Sequence, residues 1–157
     1  MQARRGELVD VLEGDGAVAM AGDRALGLVT WAVTGERWDP GPTGRLEASH
    51  AAVIDAEIRA LAVGEGARGH GVGAALLEAA ERALRAAGAS WAWLVTTNDN
   101  LAALALYQKA GWRLSELRAG SLDELRRVIK PSIPQVGQHG IPLRDELELV
   151  KELGHST

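Results

Sequence analysis

The sequence contains no cysteine and no phenylalanine. Without a thiol, the chain offers no disulfide, thiolate metal ligand, cysteine nucleophile or acyl-thioester intermediate of its own. Without phenylalanine, the interior must come from Leu, Val, Ile and Ala, with five Trp and a single tyrosine, Tyr107. The position of that one phenol therefore carries information. No stretch approaches the roughly 18 uninterrupted apolar residues that span a bilayer. Arg4 and Arg5 are not followed by the apolar core of a signal peptide, so the expectation is a cytoplasmic protein with no membrane partner. A basic stripe is also lacking: 17 Lys and Arg stand against 21 Asp and Glu, for a net charge of -4. Binding through phosphate neutralisation needs such a stripe, so no nucleic-acid partner is expected. The four histidines, His50, His70, His139 and His155, are scattered without metal-ligand spacing, and no metal site is expected.

What is present suits one globular domain over 1–157, with 46% hydrophobic and 24% charged residues. Apolar runs at 17–21 and 26–33, separated by the turn formers Gly22 and Asp23, predict an antiparallel hairpin. A loop holding Pro40 and Pro42 follows, with Trp31 and Trp38 in or beside it as candidate lining of a substrate pocket. Residues 53–63 then predict a strand whose alternation puts Asp55, Glu57 and Arg59 on one polar face.

Residues 74–87 read as an Ala-rich helix with an apolar stripe of Leu76, Leu77, Ala80 and Leu84, closed by Gly88. Glu78/Arg82 and Glu81/Arg85 stand at the favourable i,i+4 spacing. A buried strand at 91–96 leads to a helix over 101–110, with Asn98 as the better N-cap and Gly111 as the stop. Strands at 112–117 and 146–150, a short helix at 122–129 and a Pro/Gly-punctuated connection complete the chain.

Just before the first long helix stand Arg68, Gly69, Gly71 and Gly73. Close-set glycines let phosphate oxygens approach main-chain N–H groups, and a helix N-terminus adds free donors and partial positive charge. The passage reads as a pyrophosphate cradle, with Arg68 adding a charge-assisted contact. A P-loop would need Lys-Ser/Thr where this chain has Ala74-Ala75. The dinucleotide fingerprint fits Gly69, Gly71 and Ala74, but it belongs in the first turn of a parallel βαβ unit, and here antiparallel strands come first.

Arg68-x-x-Gly71-x-Gly73 resembles the R/Q-x-x-G-x-G/A signature of the GNAT superfamily of acyl-CoA-dependent N-acyltransferases. Asn100-x-x-Ala103-x-x-x-Tyr107-x-x-x-Gly111-Trp112 is similar to its second motif, in the right order and one helix and one strand downstream. The resemblance is close over 53–117. The tail, 118–157, with Lys130-Pro131-x-Ile133-Pro134 and Gly140-Ile141-Pro142, resembles that of a group of small bacterial members.

The resemblance implies an α/β fold of the α+β type: a mixed, mostly antiparallel twisted sheet flanked by helices. It implies acetyl-CoA as co-substrate and a small-molecule or peptide amine as acceptor, with homodimer formation left open. It further implies that main-chain groups of Leu61 and Val63 meet the pantetheine arm and that the amides of 68–73, including Val72, hold the pyrophosphate. Asn100 would contact the pantetheine region, Tyr107 would protonate the departing thiolate, and Glu57 occupies a position where relatives place a general base. A competing reading keeps the CoA cradle without turnover, as a binding module or sensor.

The residue types suit the chemistry. An ammonium cannot attack a thioester, so an amine of pKa about 10 must lose a proton first. Proton transfer from a phenol to a thiolate is uphill by only ~2 kcal/mol at reference pKa values. Without a cysteine, direct attack in a ternary complex is expected. One departure stands out: the family's helices between the first two strands are missing, and the segment 118–144, with Arg126, Arg127, Lys130 and Arg144, is expected to replace them as a wall of the acceptor site.

Overall fold

The structure is a computed structural model and describes residues 2–4, 7–9, 14–35 and 54–154. Strands β1 (Gln2–Arg4) and β2 (Glu7–Val9) form a small antiparallel sheet of their own. The main sheet has six strands: β3 (Asp15–Ala21), β4 (Arg24–Gly35), β5 (Asp55–Val63), β6 (Trp91–Thr97), β7 (Arg113–Arg118) and β8 (Glu146–Glu152). Their order is β3-β4-β5-β6-β8-β7, so the last strand inserts between β6 and β7. Every pairing is antiparallel except β5 with β6. With helices α1 (Val72–Ala86), α2 (Leu101–Lys109) and α3 (Ser121–Val128), this is the mixed, mostly antiparallel architecture the sequence led us to expect.

The β3–β4 hairpin turns at Gly22 and Asp23, and Gly22 takes the left-handed φ of 62° that such a tight reversal requires. No helix lies within the described 14–35 stretch. The loop with Trp38, Pro40 and Pro42, together with His50, Val53 and His155, lies outside the described residues.

Helix α1 lays its stripe on the sheet. Leu76, Leu77, Ala80 and Leu84 are all buried against Val29, Ile58, Ala92, Leu94 and Leu149. Each buried leucine stabilises the fold by about 1.5–3 kcal/mol relative to exposure. Gly88, at φ 86°, follows the helix as its left-handed terminator.

Two departures from the expected pattern matter. Thr30 pairs with Ala60 and Trp31 with Ile58, which leaves Arg59 as one extra residue in β5. A bulge of this kind shifts the alternation, so Ile58, Leu61 and Val63 all reach the same core. Strict alternation through Arg59 therefore fails. Secondly, Glu81, read only as an i,i+4 partner of Arg85, is 5% exposed. It accepts from Trp112 Nε1 at 2.9 Å and from Lys151 Nζ at 2.9 Å, while Arg85 stands 3.7 Å away.

Candidate active site

β5 and β6 pair only over Asp55–Glu57 and Trp91–Trp93. Beyond that register the two strands part, and a cleft of about 350 Å³ opens between them. Its walls come from Ile58 to Ala62 of β5, Leu94 to Thr97 of β6, Asn100 and Tyr107 of α2, and Glu146 at the start of β8. Leu122, Lys130, Ile133 and Leu143 close it from the long connection. The edge of β5 past Glu57 that faces β6 thus has no strand partner among the described residues, and an extended ligand can take that place. Leu61, expected to meet such a ligand, lines the cleft.

The C-terminal end of β5 runs through Gly64 and a single 3-10 turn, Glu65–Ala67, into the cradle. Gly69 and Gly71 have φ of 79° and 78°, and a Cβ added to either would meet nothing within 4 Å. Gly71 is the N-cap of α1 and no side chain caps the helix, so its first-turn amides have no side-chain acceptor. Open backbone at a 15-residue helix start suits an oxyanion. Gly73 has a different task, because a Cβ there would stand 3.2 Å from Leu106 Cδ2 and 3.6 Å from Val63 Cγ2. Arg68 folds back, its Nε donating to the Val63 carbonyl at 3.4 Å. Val63 lies on β5 outside the cleft lining, and that carbonyl is already engaged.

Tyr107 is 7% exposed and belongs both to the core and to the cleft wall. Its ring is tilted 53° to that of Trp112 at 6.2 Å, which holds the phenol on the α2 face that meets the cleft. Glu57 is buried at 4% exposure, and its Oε2 lies 3.5 Å from Arg59 Nε. Arg59 lines the cleft and Glu57 does not, so any reach of Glu57 into the cleft runs past Arg59.

The turn before α2 differs from the sequence expectation. Asn100, not Asn98, is the N-cap, its Oδ1 accepting from the Ala103 amide at 3.4 Å and its Nδ2 donating to Thr96 Oγ1 at 3.3 Å. Asn98 instead ties down the tail, donating to the Pro142 carbonyl at 2.9 Å and accepting from the amides of Arg144 and Asp145 at 3.1 and 3.0 Å. Asp99 accepts from the Gln138 amide at 2.8 Å and from Thr97 Oγ1.

The segment 118–144 does wall the cleft, though not with the basic face expected of it. Only Lys130 of its four expected cations lines the cavity. Arg126 points inward to three carbonyls of its own segment, Arg127 pairs with Glu124 at 2.7 Å, and Arg144 lies outside the lining. Trp31 is a core residue outside the lining. Among the described residues, His70 and His139 are exposed, and no group of three His, Asp or Glu is placed to hold a metal ion. The residue missed altogether is Glu146. Its Glu-Leu-Glu-Leu run pointed only to a closing strand, yet Glu146 is 2% exposed in the cleft wall.

Residues 9–112, more than half of the chain, match the family model described as the acetyltransferase (GNAT) family. The chain belongs to the GNAT family. It is 51% identical to the uncharacterised Bacillus subtilis (strain 168) protein YxbD over 83 residues, which are 53% of this chain and 52% of YxbD. The chain spans about half the length of the curated relatives it matches. Among solved structures it is similar to an IAA acetyltransferase from Bacillus cereus ATCC 14579, with a TM-score of 0.64 and 25% identity over 87% of this chain and 76% of that one. A Bacillus subtilis acetyltransferase in complex with CoA shares the fold of this GNAT chain at a TM-score of 0.69 and 24% identity, covering 90% of this chain and 79% of the other. Among the described residues, no helix of this GNAT protein is long and apolar enough to cross a membrane.

Proposed function

We propose that the protein is an N-acetyltransferase that moves the acetyl group of acetyl-CoA to a primary amine by direct attack in a ternary complex, within one domain over 1–157. Family membership supports the reaction class. The observation that carries the reading is the path of β5. One part of its open edge forms the cleft beside Tyr107, and its end delivers the chain to the bare amides before α1.

In this reading the pantetheine arm lies along β5, meeting main-chain groups at Leu61 and Val63 and passing Asn100. The diphosphate rests on the amides of Gly69, Gly71, Val72 and Gly73, with Arg68, whose own amide donates to the Glu65 carbonyl at 3.4 Å, at the edge of the loop. The acceptor arrives as an ammonium, and its proton passes by way of a water molecule beside Arg59 to Glu57. The free nitrogen attacks the thioester carbonyl, a C–N bond forms, the C–S bond breaks, and the sulfur leaves as thiolate. Tyr107 protonates that sulfur, giving CoA and the acetylated amine, and recovers its proton from solvent or from Glu57. The chain has no cysteine to carry the acetyl group in between.

Calorimetric titration with CoA and a thiol-release assay with acetyl-CoA and a panel of primary amines test the proposal. Binding together with amine-dependent release is expected. Binding without release from any amine would make the protein a CoA sensor, and no heat with any CoA species would remove both readings.

A further inference from the structure

The buried carboxylate of Glu146 has no role in the reaction just described. Glu146 is 2% exposed, and among the described residues no hydrogen bond or ion pair engages its side chain. The nearby cations make no hydrogen bond or ion pair with it. Arg118, directly opposite on β7, gives its Nη2 to Glu148 at 2.6 Å and places its Nε 3.4 Å from Glu116, while its buried Nη1 has no hydrogen-bond partner among the described residues. Arg59 pairs with Glu57, and Lys130, which shares the cleft, makes no ion pair with Glu146. Burying a carboxylate without a partner costs several kcal/mol, and native proteins seldom retain such a group without a use. The surroundings fix its position: Glu146 pairs in register with both Thr97 and Arg118, and the Asn98 clamp on Asp145 holds the strand entrance.

We propose that Glu146 is the binding group for the acceptor's ammonium, so that the acceptor is a cationic amine whose charge is neutralised inside the cleft. The proposal rests on the transferase reading and adds to it the chemical class and the residue that selects it. An ammonium donates up to three hydrogen bonds and would supply the charge partner Glu146 lacks. An anionic acceptor would be repelled by that carboxylate and would have to seat on Lys130 instead.

The full-length protein saturated with CoA is titrated at neutral pH with hexylammonium and, separately, with hexanoate. Hexylammonium should bind the wild type, and hexanoate should bind at least about tenfold more weakly. Glu146→Gln, isosteric and uncharged, should weaken hexylammonium by about 10- to 100-fold while the CoA dissociation constant stays within about twofold. Equal hexylammonium affinity in wild type and variant overturns the assignment. So does hexanoate binding as tightly as hexylammonium, which would place the ligand on Lys130, or no hexylammonium binding to the wild type. If Glu146→Gln fails to fold by circular dichroism, the wild-type comparison of the two ligands still decides. Thiol release is read separately: its absence in the wild type with every amine sinks the transferase and the acceptor role together. Release with an unchanged acceptor KM in Glu146→Gln sinks the Glu146 assignment alone.

Discussion

Trp112 Nε1 donates to Glu81 Oε1 at 2.9 Å, joining the residue that follows α2 to the buried face of α1 across 31 positions of sequence. Lys151 of β8 reaches the same carboxylate with its Nζ and also donates to the Ala110 carbonyl at 2.7 Å. Three elements thus share one buried anion behind the sheet. Glu81→Ala leaves an indole N–H and an ammonium without their acceptor, and the expected loss of unfolding free energy is about 3 kcal/mol. Glu81→Leu combined with Lys151→Met should lose less than the two single variants together, because no charge is stranded. Urea denaturation of the four proteins completes the cycle; strictly additive losses would mean that the pair is not coupled.

Gly71 caps α1 at φ 78°, a conformation that costs an L residue about 1–2 kcal/mol. Gly71→Ala should destabilise the fold by that amount and weaken CoA by about tenfold or more, because relaxing φ turns the cradle amides away from the diphosphate. Gly66, whose added Cβ meets nothing and whose φ is not left-handed, serves as the control. Calorimetry should find CoA binding unchanged in Gly66→Ala. Equal affinity in both variants would move the diphosphate off this loop.

The parts of this molecule legible in its sequence are those set by local rules. The stripe of Leu76, Leu77, Ala80 and Leu84 needs only a 3.6-residue period, and the hairpin at Gly22 only a turn with positive φ. The placing of Tyr107 in a cleft wall came from motif spacing and a resemblance. Long-range contacts were not legible. Glu81 sits at a perfect i,i+4 distance from Arg85, and nothing local to it points to Lys151, 70 residues on, as the group that buries it. Glu146 stands in an alternating strand, but β8 inserts between β6 and β7, where the wall of the cleft buries its first residue. The bulge at Arg59 is likewise invisible, because it arises from the pairing of β5 with β4.

Tyr107→Phe removes one oxygen from a side chain that is 7% exposed and packed against Trp112. The ring contacts remain, so the variant should fold and bind acetyl-CoA with little change. The departing thiolate would lose its acid, and kcat is expected to fall roughly 10²- to 10⁴-fold. Wild-type kcat in a steady-state thiol assay would take Tyr107 out of the chemistry.

Glu57→Gln keeps the volume of a residue that is 4% exposed but removes the charge facing Arg59. If Glu57 receives the acceptor's proton, activity falls on the acid side where Glu57 becomes protonated, and the substitution should abolish or displace that limb of the kcat/KM profile. A limb left in place would assign deprotonation to another group in the cleft. Arg59→Met provides the complementary measurement, since it removes the positive charge 3.5 Å from the carboxylate and should move the same limb to higher pH.

Arg126 ties the cleft wall together from within. Its Nε donates to the Ile133 carbonyl at 2.9 Å and its Nη2 to the carbonyls of Pro134 and Leu143 at 2.7 and 2.8 Å. Ile133 and Leu143 both line the cleft, and Lys130 stands on the same strap, so one guanidinium fixes the side of the cavity away from β5. Lysine has one charged nitrogen and cannot span three carbonyls in this fork geometry, which makes Arg126→Lys a disruptive change despite its conserved charge. Hydrogen exchange in 130–143 should then accelerate by about 10-fold or more, while α1 and the cradle remain protected. The acceptor KM should rise several-fold with CoA affinity unchanged, because the cradle belongs to the other end of β5. Unchanged exchange in 130–143 would show that the Asn98 and Asp99 contacts hold the strap without Arg126.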